Sequence, residues 1–297
     1  MSPAGKRELH GAATIVSIFG TRPLEGVASL AGVRIYDVGQ GDSISILDGQ
    51  GNPVLQIDYG GRQGHPFAGL TKDEVDERMP VGSSALLMMT HWDEDHWCSA
   101  PRGDAARAAH WLVPRQLTSP RAVRFASGLE HIACIPEEEV GEVFAFEAEN
   151  GDAILWEKLA PSAQSENAGR ENCNRTGVAL SLVRRRAEGG EAILLPGDAA
   201  FGHVRHYWQL RDAGLALAGL VAFHHGSGLH WTRATRRLLM KWPKSPRFEI
   251  VASCADDNSY GHPDRACYAG LFPHHLLRTT ADERSAGRDH VDLCFAD

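Results

Sequence analysis

A cluster of metal-ligand side chains directly follows a short apolar run in this chain. Residues Ala85–Met89 are typical of a buried strand, and the next eight residues read Thr-His-Trp-Asp-Glu-Asp-His-Trp. His91, Asp93 and Asp95 alternate, so an extended backbone points all three side chains to one side. A turn at Asp95 then brings in His96. Because a surface charge run would not need a histidine at each end, the pattern predicts a metal site at the carboxyl edge of a sheet.

Length and composition indicate one large folded unit. The chain has 297 residues, 43% of them hydrophobic, which is enough to bury a sizeable core. No shift in composition marks a boundary, so we expect a single domain over residues 1–297. The six cysteines are scattered without a C-x-x-C pair, which argues against a disulfide framework and against a structural zinc knuckle.

Charge and hydropathy constrain the partners. No segment reaches the length of a membrane span, and the short apolar run at 12–19 has no secretory cleavage signature, so we expect a cytoplasmic protein with no membrane partner. The formal net charge of -8 argues against a generally basic surface that coats nucleic acid. It leaves room for a local groove, for which the candidates are Arg233, Arg236, Arg237, Lys241, Lys244 and Arg247. The triplet Arg184–Arg186 is better explained by a solvated hairpin end.

The order of strands and helices indicates an α/β fold. An opening antiparallel meander is predicted over Val33–Asp37, Ser43–Asp48 and Val54–Asp58, preceded by a strand at 14–19. Thr71, with Glu74 three residues later, predicts a helix start. A hairpin around Asn150-Gly151 and a polar loop at 164–174 follow. The remaining pattern alternates predicted strands at 177–183, 192–195, 220–223 and 248–253 with helices at 200–212 and 232–242.

Polar side chains follow several of these strands directly. Asp58 and Asp198 each end an apolar run, and so does the pair His224-His225, which leads into Gly226-Ser227. Because strand-end loops of a layered sheet meet at one edge, we expect these groups to lie near the cluster that contains His91. The last such loop holds Asn258 and His262.

Together these residues are sufficient for two divalent metals, which need several loops and a bridging carboxylate. We assign His91 and Asp93 to one metal, and Asp95 and His96 to the other. Asp198 would bridge the two ions. One histidine of the 224–225 pair, His224 in our assignment, would complete the second site, and His225 and Ser227 would contact substrate phosphate.

The same residues carry a family resemblance. The chain resembles the metallo-β-lactamase fold hydrolases, and within them the branch represented by the soluble domain of the DNA-uptake competence protein ComEC. The resemblance starts at Asp37-Val-Gly-Gln-Gly-Asp42 and Ile57-Asp-Tyr-Gly60, and it covers most of the stretch 33–263. It continues in the expected order through the metal loop, Asn174, Pro196-Gly-Asp198, His224-His-Gly-Ser227 and the loop 258–263. It implies a four-layer αββα fold.

Three departures from the family pattern are informative. The wider superfamily has a histidine where this chain has Asp93, but the ComEC-like branch also uses aspartate there. The usual Gly-Gly after the metal loop is replaced by Trp97-Cys-Ser-Ala100. No histidine clearly fills the superfamily's middle ligand position. We interpret His110 and His131, which lie in that interval, as surface or core residues, so the first metal would be weakly held.

These residues predict a metal-dependent phosphodiester hydrolase, and the resemblance implies a nuclease acting on DNA. Asp95 would orient the attacking water, and His262 beside Asn258 would protonate the leaving oxygen or hold the phosphate. Carboxylate in place of imidazole favours manganese or magnesium alongside zinc. Trp92 and Trp97 would stack bases or pack at the rim. The alternatives are a phosphodiesterase for a nucleotide or choline phosphodiester, favoured by the acidic charge, and a metal-binding interaction subunit.

Overall fold

The computed structural model describes residues 7–8, 17–18, 20–62, 71–116, 119–160, 171–186, 189–229, 231–256, 258–270, 272 and 277–296. Two large mixed sheets dominate this part of the chain. The first sheet contains, in spatial order, β17 (His290–Cys294), β4 (Leu30–Tyr36), β5 (Ile44–Asp48), β6 (Pro53–Ile57), β7 (Leu86–Met88), β8 (His110–Pro114) and β9 (His131–Ile135).

The second sheet contains β16 (Leu277–Thr279), β15 (Lys244–Ala252), β14 (Ala216–Val221), β13 (Gly189–Leu195), β12 (Val178–Arg186), β11 (Ala153–Lys158), β10 (Val143–Glu147) and β3 (Gly20–Pro23), again in spatial order. Two short strands, β1 (Arg7–Glu8) and β2 (Ser17–Ile18), pair with each other.

The first sheet changes from antiparallel to parallel at β6. The predicted meander is present as the antiparallel series β4, β5 and β6, and the remaining strands β7, β8 and β9 run parallel to β6. The predicted strand at 14–19 lies largely outside the described residues. Because β6 and β7 are parallel neighbours, the loops that follow them leave the sheet at the same edge.

The second sheet repeats this arrangement. Hairpins join β10 to β11 at the predicted Asn150-Gly151 turn and β12 to β13 beyond Arg186, whereas β13, β14, β15 and β16 are parallel. The arginine triplet is paired: Arg185 contacts Glu147, and Arg186 contacts Glu191. It is therefore a hairpin end, as the sequence indicated.

The helices are α1 (Lys72–Arg78), α2 (Asp104–Ala108), α3 (Pro120–Ala126), α4 (Glu171–Thr176), α5 (Arg205–Asp212), α6 (Arg233–Met240), α7 (Arg265–Ala269) and α8 (Thr280–Ser285). Helix α1 begins at the predicted capping box, in which Thr71 and Glu74 bond each other's backbone amides. Helix α5 starts later than predicted, because a short 3-10 turn at Phe201–His203 precedes it. Residues 171–174, predicted as loop, belong to α4, and 161–170 lie outside the described residues.

Three apolar clusters define four layers. One lies between the sheets and joins Ile35 and Leu55 of the first to Leu180 and Ile193 of the second. Another packs α1, α2 and α3 on the outer face of the first sheet, and a third packs α5, α6 and α7 on the outer face of the second. Each fully buried aliphatic side chain contributes about 1.5–3 kcal/mol of transfer free energy. The predicted α/β, four-layer αββα fold is confirmed. Within the described residues, none of the helices has the length and apolar content needed to cross a membrane.

Candidate metal centre

The metal loop begins where β7 ends. The backbone is extended at Asp93, and a single 3-10 turn then covers Glu94–His96. This turn replaces the fully extended course that the alternation suggested. It brings His91 and His96 together, with 3.9 Å between ring centroids. Both rings are completely buried.

Asp58 fixes the orientation of His96. Its carboxylate accepts a hydrogen bond from His96 Nδ1 at 2.7 Å and two from Thr90, through the backbone amide and the hydroxyl, each at 2.7 Å. A histidine whose Nδ1 donates to a carboxylate offers its Nε2 lone pair to a metal. Asp58 adopts a φ of 53°, a left-handed conformation that non-glycine residues rarely take. It is therefore a positioning residue behind the site.

Asp198 lies between the two histidines of the metal loop. It follows β13 and the Pro196-Gly197 turn. Its Oδ2 is 3.4 Å from His91 Nε2, and its Oδ1 is 3.4 Å from His96 Nε2. One carboxylate with its oxygens directed at different histidines has the arrangement expected of a bridging ligand.

His225 joins this group from the second sheet. Its Nε2 is 3.2 Å from Asp95 Oδ2 and 3.9 Å from Asp198 Oδ1. Its Nδ1 lies 3.1 Å from the carbonyl of Ser253 and 3.6 Å from Asp42. Asp42 thus lies directly behind His225, as Asp58 lies behind His96.

His224 lies nearer the rim. Its Nε2 is 3.7 Å from Asp198 Oδ2, and its side chain is 28% exposed, against 1% for His225. Both residues have positive φ values, 46° and 54°, and their rings are inclined by 82° to each other. We assigned His224 to the metal and His225 to substrate from the sequence. The structure brings His225 together with Asp95 and His96, and leaves His224 facing Asp198 from outside.

The buried donor atoms fit a metal centre. Three sets of side chains each place one donor per residue within 4.8 Å of one another: His91 with His96 and Asp198, Asp95 with His96 and His225, and Asp42 with Asp58 and His96. Among the described residues, His91 Nε2, His96 Nε2 and Asp198 Oδ1 are buried without a hydrogen-bond partner. Leaving such atoms unsatisfied is costly, which a cation at these positions would relieve. The sets share His96, so they describe adjacent sites.

The carboxylates of the site favour the protonated form of its buried histidines. Burial lowers the pKa of His91, but the carboxylates of Asp198 and Asp93 outweigh it and raise the pKa to about 9. Burial raises the pKa of Asp95, but the hydrogen bond from His225 and the charges of His96 and His225 together outweigh burial and lower the pKa to about 2. The pKa of Asp198 is likewise held well below its usual value by the nearby histidines, despite burial. A divalent cation would replace these protons.

Asn174 lies beside Asp198 at the candidate metal centre. Its Nδ2 is 3.3 Å from Asp198 Oδ2, and its Oδ1 is buried without a hydrogen-bond partner among the described residues. Asp93 lies 3.6 Å from His91 Nε2. His110 and His131 instead stack on each other, 4.5 Å apart, at the amino ends of β8 and β9. They therefore lie at the end of the sheet remote from the metal loop.

Two glycines of the opening motifs allow the loops to meet. A Cβ on Gly60 would lie 1.8 Å from the carbonyl oxygen of Asp95, and one on Gly41 would lie 2.4 Å from the same atom. That oxygen accepts hydrogen bonds from Gly61 N at 3.0 Å and Asp42 N at 3.3 Å. The Gly-rich motifs thus serve as the packing surface of the metal loop, a role that only the tertiary structure reveals.

The 258–262 loop forms one rim of the site. Asn258 Nδ2 donates to the carbonyls of Ala255 and His262, and its Oδ1 accepts from His262 N. Both Nδ2 hydrogens are used within the loop, so we assign Asn258 a positioning role. The His262 ring lies 5.6 Å from that of His224 and stacks on Tyr260. Ser227 is buried, and its hydroxyl accepts from Leu229 N at 3.2 Å.

Trp92 and Trp97 pack in the core. Their side chains are 8% and 4% exposed, and their indole NH groups donate to the carbonyls of Pro114 and Trp92. Trp97 stacks on Phe125 of α3 at 4.9 Å. Of the two roles considered from the sequence, this burial favours packing.

Comparison with known proteins gives similarity of structure only. No protein-family model and no curated protein matches the chain. The structure is similar to isothiocyanate hydrolase from Delia radicum gut bacteria, at 15% identity over 89% of this chain and 100% of that chain, with a TM-score of 0.47. It is similar to the metallo-β-lactamase fold protein YhfI from Bacillus subtilis, at 9% identity over 89% and 98% of the two chains, with a TM-score of 0.45. At this level, these similarities carry no information on substrate or metal.

Proposed function

We propose that the chain is a metal-dependent phosphodiester hydrolase that cleaves DNA at a dinuclear centre. The observation that carries this proposal is the position of Asp198, with one oxygen 3.4 Å from His91 and the other 3.4 Å from His96. Two divalent ions bound there would supply Lewis-acid activation of water and of the phosphoryl oxygens. The ligands would be His91, Asp93 and Asp198 for one ion, and Asp95, His96, Asp198 and His225 for the other.

The protein residues orient the reactants around that centre. Asp95 bonds His225, and its side chain is 26% exposed. It can therefore bind a metal ion and also accept a hydrogen bond from the attacking water. His224 and His262 face each other at the open side of Asp198. An imidazole there can donate a proton to the leaving oxygen at neutral pH. We assign that step to His262, and contact with the non-bridging phosphate oxygens to His224.

The choice of DNA rests on the motif resemblance to the ComEC-like branch. The net charge of -8 supports a second candidate, a phosphodiesterase for a nucleotide or a choline phosphodiester. A long polyanion is repelled by an acidic protein unless a local positive surface compensates, whereas a small diester is repelled less.

Cleavage assays discriminate these candidates. Labelled single-stranded and double-stranded DNA and bis(p-nitrophenyl) phosphate are incubated with the metal-stripped protein and added manganese, magnesium or zinc. We expect DNA cleavage that is abolished in Asp95→Ala and Asp198→Ala. His110→Ala, which removes a histidine remote from the metal loop, is the matched control and keeps full activity. Turnover of the small ester alone supports the second candidate. If neither substrate is turned over with any divalent metal, the result supports the third alternative, a metal-binding interaction subunit.

A further inference from the structure

An arginine-lined groove lies beside the metal loop. It has a volume of about 400 Å³ and is formed between α2, α3 and the end of the metal loop. Three guanidinium groups, those of Arg107, Arg121 and Arg124, surround it, and its apolar wall contains Trp97 and Phe125. None of these arginines belongs to the basic clusters seen in the sequence. They come from two helices and form no continuous basic run.

The groove and the metal centre lie on opposite sides of one short turn. Glu94 begins the 3-10 turn and pairs with Arg121 of α3, with 2.5 Å between Oε1 and Nη1. The next residue, Asp95, points the other way and bonds His225 at 3.2 Å. The groove and the centre therefore share the segment Glu94–Asp95 as a common wall.

The groove carries more positive than negative charge. Arg121 is paired with Glu94, and Arg107 lies 3.8 Å from Asp104 of its own helix, an exposed pair that contributes little. Within the described part of the chain, no carboxylate pairs with Arg124. Arg107 and Arg121 are 50% and 65% exposed, so their guanidinium groups remain accessible to a ligand.

We propose that this groove binds phosphates of a polynucleotide strand next to the phosphate that is cleaved. Guanidinium groups match phosphate oxygens with paired hydrogen bonds, and several of them at fixed spacing suit a polyanion better than a single small ester. On a protein of net charge -8, such a patch also supplies the local attraction that a long polyanion requires. This inference rests on the proposed hydrolysis of DNA and specifies how that substrate is held.

The test separates binding from cleavage. Binding of a fluorescein-labelled oligodeoxynucleotide is measured by anisotropy in EDTA, at several salt concentrations, for the full-length protein and for Arg124→Ala and Arg107→Ala. We expect each substitution to weaken binding about tenfold and to reduce the slope of log K against log salt by about one. Arg124→Lys should keep the slope and recover part of the affinity. Hydrolysis of bis(p-nitrophenyl) phosphate should stay unchanged in all three.

The matched control is Arg22→Ala, which removes an exposed arginine on β3, at the edge of the other sheet. Unchanged oligonucleotide affinity in Arg124→Ala and Arg107→Ala, or an equal loss in Arg22→Ala, would overturn the assignment of the groove. If the oligonucleotide binds as expected but no phosphodiester is cleaved with any metal, the proposed activity fails while the groove stands. If DNA is cleaved but the arginine variants bind it as the unmodified protein does, the activity stands while the groove fails.

Discussion

Asp58 accepts the Nδ1 hydrogen of His96 at 2.7 Å, and both side chains are completely inaccessible to solvent. The bond leaves only Nε2 of His96 free to bind a cation, and His96 belongs both to the set with His91 and Asp198 and to the set with Asp95 and His225. The site therefore depends on a residue that contacts no substrate.

Replacing Asp58 by asparagine should weaken metal binding about 10- to 100-fold, as is typical when the partner of a ligating histidine is lost. An amide can donate to Nδ1 and so favours the wrong tautomer. Affinity is measured by competition with a chromophoric chelator. Asp212→Asn, which alters an exposed ion pair with Arg211, serves as the control. Equal affinity in Asp58→Asn and the unmodified protein would contradict the positioning role.

The metal-free protein should lose stability as the pH rises from about 6.5 to about 9. The folded state raises the pKa of His91 from 6.5 to about 9, so it binds this proton more tightly than the unfolded chain does. The stabilisation is complete below pH 6.5 and is lost as the pH rises through 9. Thermal unfolding in EDTA across this range measures the effect, which should be smaller in His91→Gln. A melting temperature that rises with pH over this interval would be inconsistent with the mechanism.

Gly60→Ala should displace the metal loop and destabilise the fold by about 3 kcal/mol. The new Cβ would fall 1.8 Å from the carbonyl oxygen of Asp95, so the backbone itself has to move. Gly270→Ala is the matched control, because a Cβ there meets nothing closer than 3.5 Å. Urea unfolding gives the stability and chelator competition the metal affinity. We expect both to fall in Gly60→Ala alone.

Asn174 should influence one metal more than the other. Its carboxamide oxygen is buried beside Asp198 without a hydrogen-bond partner among the described residues, so Asn174→Ala should lower the metal content towards one ion per chain. Asn174→His supplies a softer donor and should raise zinc affinity relative to manganese. Metal content after dialysis is measured by elemental analysis. Asn52→Ala, in an exposed turn, is the control and should retain both ions. An unchanged metal content in Asn174→Ala would show that Asn174 does not contribute to metal binding.

Manganese should support hydrolysis by the metal-stripped protein, with zinc as a competitor. The ligand set contains three carboxylates, from Asp93, Asp95 and Asp198, and hard oxygen donors favour manganese and magnesium. Reconstitution with each metal under matched free concentrations measures the preference. Activity that returns with zinc but never with manganese would show that the carboxylates do not determine the metal preference.

Much of the secondary structure can be predicted from the local sequence. The meander, the Asn150-Gly151 hairpin, the Thr71 capping box and the strand ends are specified by alternation, turn residues and caps, and these are short-range effects. The meeting of Asp58, Asp198 and the metal loop follows from one further rule, that loops after parallel strands share an edge.

The finer arrangement depends on contacts between distant segments. The choice between His224 and His225 is made by two consecutive left-handed residues, a conformation imposed by the surrounding packing that no local propensity favours. The burial of Trp92 and Trp97 reflects the position of α3, and Asp42 meets His225 only because the two sheets pack together. The arginines of the groove form no sequence pattern from which the groove could have been predicted.

The candidate ligands come from both sheets: His91, Asp95 and His96 from the end of β7, and Asp198 and His225 from β13 and β14. Bound cations would therefore link the two sheets at one edge. Ligand that binds only the folded state stabilises it in proportion to the logarithm of its free concentration. We expect resistance to proteolysis to track the free metal level, so that the cellular lifetime of the chain follows the supply of the ion on which its chemistry depends.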